Sequence, residues 1–165
     1  NEDIEKIVKG IRNKENSLFY KIVTTNGAFD ILHPGHIYSL IEAKKRGNIL
    51  IVCLNSDESI RRYKSQDRPF FTQLDRAYIL SAISIIDYIT IFNEDDPRAI
   101  LERIKPDIHV KSKSGYKGIE RQVVERNGGR IELIEDMPGY STTEIIDTLE
   151  SVVKGFIEQG GLWSG

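Results

Sequence analysis

Two of the chain's three histidines, His33 and His36, stand three positions apart in the segment Thr24-Thr25-Asn26-Gly27-Ala28-Phe29-Asp30-Ile31-Leu32-His33-Pro34-Gly35-His36. At that spacing they share one face of a helix, and Pro34 is the residue type favoured at a first helical position. A helix start leaves backbone N–H groups unpaired and carries a partial positive charge, so phosphate settles there while both imidazoles reach its oxygens. Gly35 removes a side chain where a ligand would approach, and Gly27 is expected to take turn angles closed to other residues. Together these residues describe a nucleotide-phosphate cradle. The plainer alternative makes His33 a capping residue and His36 a surface position; the succession of strand, glycine turn, proline and apolar helix favours the cradle. A metal centre is not expected, because no third histidine, cysteine pair or H-E-x-x-H accompanies the two rings.

A cradle of this kind needs a strand to deliver it and a helix to present it. Phe19–Thr25 is rich in β-formers and runs into Asn26-Gly27, which predicts a strand ending at a turn. From Pro34 to about Arg46, Ile37, Leu40 and Ile41 recur at helical spacing and Gly47 stands just past the end. Ile49–Leu54 is a continuous apolar run, as expected of a parallel strand covered on both faces. A short helix at Asp57–Tyr63, a polar stretch from Lys64 to Pro69 and a helix at about 72–84 follow. Further strands are predicted at Tyr88–Phe92, Ile108–Val110 and Ile131–Ile134, with helices at about 96–104, 118–126 and Thr142–Phe156. Ahead of them all, Ile4, Ile7, Val8 and Ile11 mark an amphipathic helix over 2–12. The alternation implies an α/β fold with a doubly wound, mainly parallel five-stranded sheet and right-handed crossovers. Ligands of such sheets bind at the carboxyl ends of the strands where the winding reverses, which directs attention to the loops at 25–36 and 135–143.

A length of 165 residues suits one domain, expected over 19–156, with a lead-in at 1–18 and an irregular tail at 157–165 that contains Trp163. Hydrophobic residues at 39% supply a core and exclude global disorder. With 23 Lys and Arg against 25 Asp and Glu the net charge is −2, so a nucleic-acid partner is not expected. No apolar run approaches the roughly 20 residues that cross a bilayer, so no membrane partner is expected either. The start Asn1–Glu5 is acidic with no apolar stretch behind it, and Cys53 is the single cysteine; both fit a reducing cytoplasm.

The segment around His33-Pro34-Gly35-His36 resembles the H-x-G-H signature of the cytidylyltransferase-like nucleotidyltransferases, and Tyr140-Ser141-Thr142-Thr143-Glu144-Ile145-Ile146 resembles their S-T-T-x-I-I signature. Within that family the chain is most similar to the adenylyltransferase domain of bacterial ADP-heptose synthases. That likeness also rests on Thr25-Asn26-Gly27, Asn55-Ser56-Asp57, Arg68-Pro69, Asp75-Arg76, Phe92–Pro97 and Lys105-Pro106-Asp107, and it covers roughly residues 20 to 150. It implies a Rossmann-like fold and transfer of AMP from ATP to a sugar 1-phosphate, most closely D-glycero-D-manno-heptose 1-phosphate, for surface glycan synthesis. Mg²⁺ is implied as cofactor, bound mainly through nucleotide phosphates, and a family-like homodimer is compatible with the sequence.

Carried onto this chain, the resemblance gives His33, His36 and Lys64 to catalysis. Thr25, Asn26, Gly27, Ala28, Phe29, Gly35, Lys111, Gly139, Ser141, Thr142 and Thr143 would hold the nucleotide, and Asp30, Asn55 and Arg68 the substrate phosphate. Several of these have simpler readings. Lys64 and Arg68 fit a solvated polar loop, Phe29 fits the core, and Asp30 fits a turn cap as well as a group orienting a histidine or Mg²⁺. Ser141 or Thr142 with Glu144 would make an ordinary capping box. The chain departs from the K-G-G-D-Y pattern of heptose-phosphate adenylyltransferases, reading Lys111-Ser112-Lys113-Ser114-Gly115-Tyr116. It also lacks the Arg of the R-T-E-G-I-S-T-T pattern of glycerol-phosphate cytidylyltransferases, having Asp136-Met137-Pro138-Gly139 before Tyr140. The competing expectations are CTP transfer to glycerol 3-phosphate or another alditol phosphate, adenylylation of FMN, and a nucleotide-binding regulatory module without turnover.

Overall fold

The structure is a computed structural model that describes residues 2–14, 19–140 and 142–158. Ser141 and the tail around Trp163 lie outside the described residues. Strands β1 (Ile22–Gly27), β2 (Ile49–Asn55), β3 (Tyr88–Phe92), β4 (Ile108–Ser112) and β5 (Arg130–Ile134) form one sheet in the order β3-β2-β1-β4-β5. Every neighbouring pair is parallel, so the sheet is wholly rather than mainly parallel. Helix α1 (Glu2–Arg12) precedes the strands, α2 (Pro34–Lys44), α3 (Asp57–Tyr63), α4 (Gln73–Ser81), α5 (Arg98–Ile104) and α6 (Arg121–Arg126) run between them, and α7 (Thr142–Glu158) follows the last.

The apolar run of β2 is explained by two cores, one on each side of the sheet. Leu50, Val52 and Leu54 face Leu40 and Ala43 of α2 and Leu80 of α4. Ile51 and Cys53 face Ile4, Val8 and Ile11 of α1 and Ile100 and Ile104 of α5. Alternation along a strand sends successive side chains to opposite faces, so a strand covered on both faces must be apolar throughout. The amphipathic stripe of α1 is therefore buried against the sheet.

Strand ends differ from the sequence expectation in an instructive way. β1 begins at Ile22, leaving Phe19 exposed, and continues through Asn26 and Gly27, which pair with Cys53 and Leu54 of β2. Parallel pairing thus overrides the turn preference of Asn-Gly. β4 likewise runs on to Ser112, because Lys111 and Ser112 pair with Leu133 and Ile134 of β5. Helix α4 stops at Ser81, earlier than expected, and Ile83, Ile85 and Ile86 pack onto the core from an irregular turn. Winding goes from β1 through β2 to β3, then resumes on the other side of β1 with β4. The topological switch point therefore lies between the carboxyl ends of β1 and β4.

One polar pair is sealed inside this frame. Thr24 of β1 and His109 of β4 are register partners, with Thr24 Oγ1 2.8 Å from His109 Nδ1. Burial, with Lys111 nearby, pushes the imidazole down to about 3. An unfolded histidine titrates near 6.5. Between these values the unfolded chain binds the extra proton, so this contribution to stability is complete above about 6.5 and is lost as pH falls toward 3. We expect unfolding free energy to decline through that window with a slope of up to about 1.4 kcal/mol per pH unit for this group. His109→Asn should flatten the slope in urea titrations at stepped pH, and an unaltered slope would contradict the assignment.

Candidate functional site

The switch point is where the two histidines stand. Pro34 opens α2, and His33 occupies the N-cap position in an extended conformation without making a side-chain cap hydrogen bond. The capping alternative for His33 therefore fails. His36 is not a surface residue either; its ring stacks on that of His33 at 3.7 Å between centroids and lies 5.1 Å from the Phe29 ring. The Nδ1 atoms of both imidazoles are buried with no protein partner among the described residues.

Electrostatics keep this pair uncharged. Burial lowers His36 to about 4, helped by the proximity of His33 and Lys64. Burial also holds His33 below its ordinary value, partly opposed by Glu144 of α7. Two stacked imidazoles beside a lysine cannot both take protons without a compensating anion. The positive end of α2 beside them favours such an anion.

The loop leading into α2 is held by buried charges. Arg76 of α4 is fully buried; its Nε donates to Phe71 O at 3.0 Å, one terminal nitrogen to Ala28 O at 2.5 Å, and the other to Asp57 Oδ1 at 2.7 Å. Asp30, only 2% exposed, accepts from the backbone N–H groups of Phe70 and Phe71 at 2.8 and 3.1 Å and pairs with Arg68 at 2.7 Å. Neither a local turn cap nor an open phosphate ligand describes Asp30. Its oxygens tie the cradle loop to the segment before α4. Arg68 is the cation it holds, and the guanidinium also lies over the Phe70 ring at 4.8 Å. Lys64, at the end of α3, is exposed, and its charge reaches His36.

The glycines have physical reasons other than those expected. Gly27 does not take a left-handed conformation; Phe29 does, with φ 46°. A Cβ on Gly27 would stand 3.1 Å from the Phe29 ring, so the glycine admits that ring. A Cβ on Gly35 would lie 3.0 Å from both His33 Nδ1 and the Tyr140 carbonyl oxygen. Gly35 thus lets the segment before α7 approach α2, joining the two chemical motifs. Gly139 turns that segment with φ +77°, and α7 begins at Thr142, with Thr143 exposed next to it.

The remaining positions divide between two neighbourhoods. Thr25 is buried on β1, Asn26, Gly27 and Ala28 are partly exposed at its end, and Lys111 reaches across from β4 to Asn26 Oδ1 at 3.1 Å. Asn55 instead donates to Ser59 Oγ at 3.1 Å, and Ser59 Oγ donates to Glu94 O at 2.9 Å. That groups Asn55 with a network at the β2 and β3 ends rather than with the imidazoles. The Lys111–Tyr116 loop is fastened to the approach to α7: Lys113 pairs with Glu135, while the Ser114 N–H and hydroxyl donate to Asp136 at 2.9 and 2.7 Å. The added positive charge of Lys113 is thereby matched. Sequence reasoning missed Arg76 and Glu120 as site-building residues. A charged residue on the buried side of α4 was the available sign for Arg76.

Two hollows border the site. One of about 610 Å³ lies beside His33, between Leu32, Ile37 and Ile41 on one side and Met137 on the other. A second, apolar groove of about 890 Å³ runs between Phe70 and Phe71 and the Leu149 and Val153 face of α7, away from the imidazoles. Among the described residues no three His, Cys, Asp or Glu side chains cluster as a metal cage. Asp30 and Asp57 are committed to protein partners.

A parallel sheet reversing at β1 and β4, with the segment before α7 brought against Gly35 of the H-x-G-H motif, defines a nucleotidyltransferase. The chain belongs to the cytidylyltransferase-like family, whose pattern matches residues 24–148. It is 46% identical over 142 residues to the bifunctional protein HldE of Citrifermentans bemidjiense, a match covering 84% of this chain and 29% of that protein. To HldE of Helicobacter pylori it is 40% identical over 148 residues, covering 89% and 30%. The chain spans less than a third of the length of these relatives. Its fold also matches the crystal structure of a lipopolysaccharide core biosynthesis protein from Thermoplasma volcanium, with a TM-score of 0.60 and 27% identity over 72% of this chain and 97% of that one. The resemblance inferred from the motifs is thereby borne out.

Removing a partner from a buried ion pair typically costs about 3–5 kcal/mol, because it leaves an uncompensated charge. Arg76→Met should therefore lower the unfolding free energy by roughly that amount. Arg76→Lys should recover only part of it, since the compact ammonium lacks the planar fork whose three separate nitrogens reach the three acceptors. Urea unfolding of both variants checks this, and wild-type stability in Arg76→Met would contradict it.

Proposed function

We propose that this chain moves AMP from ATP to a sugar 1-phosphate, with D-glycero-D-manno-heptose 1-phosphate as the acceptor, and releases pyrophosphate. The observation that carries the reading is the stacked, uncharged His33–His36 pair at the start of α2, with Lys64 beside it and α7 brought up at Gly35. The choice of ATP and heptose rests on the motif resemblance and is supported by the HldE relatives and the lipopolysaccharide-related structural neighbour.

In this reaction an oxygen of the acceptor phosphate attacks the α-phosphorus in line. A new P–O bond forms, the bond from the α-phosphorus to the bridging oxygen breaks, and pyrophosphate leaves with its electron pair. No covalent nucleophile is required from the protein, which aligns two anions and stabilises the charge that develops. The positive end of α2 and the two imidazoles would contact the triphosphate, and Lys64 would meet the leaving phosphates. Asn26 and Ala28 at the end of β1, Lys111 on β4 and the threonines of α7 would hold the remainder of the nucleotide. Mg²⁺, when bound, supplies further neutralisation of the triphosphate; with Asp30 and Asp57 committed elsewhere, the ion would be held by phosphate oxygens and water. Among the described residues no helix is long and apolar enough to cross a membrane, and a cytoplasmic setting suits an ATP-consuming step.

His33→Ala and His36→Ala should each lower kcat by at least about 100-fold, the scale of losing one charge-stabilising donor, while leaving the fold intact by circular dichroism. The direct test is pyrophosphate release with Mg²⁺, using ATP or CTP against heptose 1-phosphate, glycerol 3-phosphate and FMN. Release with ATP and heptose 1-phosphate supports the reading. Release only with another pair transfers the mechanism to that pair, and undiminished turnover in both histidine variants would sink it.

A further inference from the structure

Lys111 is a nearly buried cation that projects from β4 toward the end of β1. Its Nζ lies 3.1 Å from Asn26 Oδ1 and 3.4 Å from Asn26 O, so one ammonium binds the side chain and the backbone of the same residue. Asn26 is partly exposed and stands immediately before Gly27 and Ala28, where the cradle loop begins. Fixing Asn26 therefore fixes one wall of the nucleotide site.

The groups facing this lysine come from three directions. Cys53 approaches from β2, and burial pushes its thiol up to about 12, so it is uncharged at neutral pH. His109, two residues earlier on β4, is neutral for the reason given above. From the connection to α6 come Lys117, which is repulsive, and Glu120, whose Oε1 lies 4.0 Å from Nζ. Among the described residues Glu120 is thus the anion facing Lys111. It is only 3% exposed, and its Oε2 is buried without a partner. A buried carboxylate placed this way is costly unless an opposite charge uses it. Glu120 belongs to none of the motifs that identify the family.

We propose that Glu120 is a positioning residue that acts through Lys111: its carboxylate keeps Lys111 an ammonium, and the ammonium clamps Asn26 at the mouth of the nucleotide site. This rests on the nucleotide site assigned above. Burial alone favours loss of the proton from a lysine, and a neutral amine makes weaker hydrogen bonds to the two Asn26 oxygens than an ammonium does. Burial already holds Lys111 below its ordinary value, with Glu120 opposing the shift. Replacing Glu120 by an uncharged isostere removes the opposition. The lysine then loses its proton at lower pH, and nucleotide binding weakens from the alkaline side first.

The experiment uses the full chain as wild type, Glu120→Gln, Glu120→Asp and Lys111→Met. Side-chain NMR of ¹³C-labelled lysine reads the Lys111 titration, assigned by its disappearance in Lys111→Met, and calorimetry reads Mg-ATP affinity across pH. In Glu120→Gln the Lys111 midpoint should fall by about one pH unit or more. The alkaline loss of ATP affinity should move by the same amount, amounting to about threefold halfway between the two midpoints and approaching about tenfold above both. Glu120→Asp should restore part of both shifts, and in Lys111→Met the alkaline limb should be absent. An unmoved Lys111 midpoint, or an affinity loss equal at every pH, would overturn the proposal. If wild-type protein binds no Mg-ATP at any pH, the nucleotide site itself is wrong, whereas the lysine titration still decides whether Glu120 governs Lys111.

Discussion

A guanidinium shut off from water holds the functional end of this protein together. Arg76 binds the Ala28 carbonyl after β1, the Phe71 carbonyl before α4 and the Asp57 carboxylate at the start of α3. An unpaired charge in that position would be severely destabilising, so conformations in which the three segments separate are suppressed. Asp30 reinforces the constraint from the opposite side by gathering Arg68 and two backbone N–H groups. Between these anchors Phe29 is held in a left-handed conformation, and its ring lies against His36. The histidines inherit their places from this framework.

What the framework presents is a shortage of negative charge. The α2 start, the exposed Lys64 and two imidazoles with buried, unpartnered nitrogens converge, while Asp30 and Asp57 are already paired. Such a site is poorly satisfied without a ligand and well satisfied by a polyphosphate. On the β4 side the balance is different. Lys111 has its own anion in Glu120 and directs its hydrogen bonds to Asn26, so its part is to shape the wall of the site. The joining of Gly35 to Tyr140 then lets the two sequence motifs form one site across the switch point of the sheet.

The architecture was legible because its determinants are local or periodic. The unbroken apolar run of β2 announced a strand covered twice, Pro34 marked the start of α2, and Asp57–Tyr63 was readable as α3 to the residue. The strand ends were less legible, since only pairing with β2 shows that Asn26 and Gly27 extend β1. The histidines could be read from spacing and context. The residues that fix them could not: Arg76 reaches Ala28 across 48 positions and Asp30 reaches Phe70 across 40, contacts that leave no periodic trace. The reasons for Gly27 and Gly35 were hidden likewise, because each makes room for a neighbour that only folding supplies.

In the free protein His36 is held uncharged by burial, with His33 and the charge of Lys64 beside it, ready for a polyphosphate to reverse that balance. NMR titration of the imidazole rings with and without Mg-ATP tests it most directly. The account predicts that His36 titrates near 4 in the free protein and that its midpoint rises when Mg-ATP binds. A midpoint near the ordinary value of about 6.5 in the free protein, or one that saturating Mg-ATP leaves in place, would contradict it.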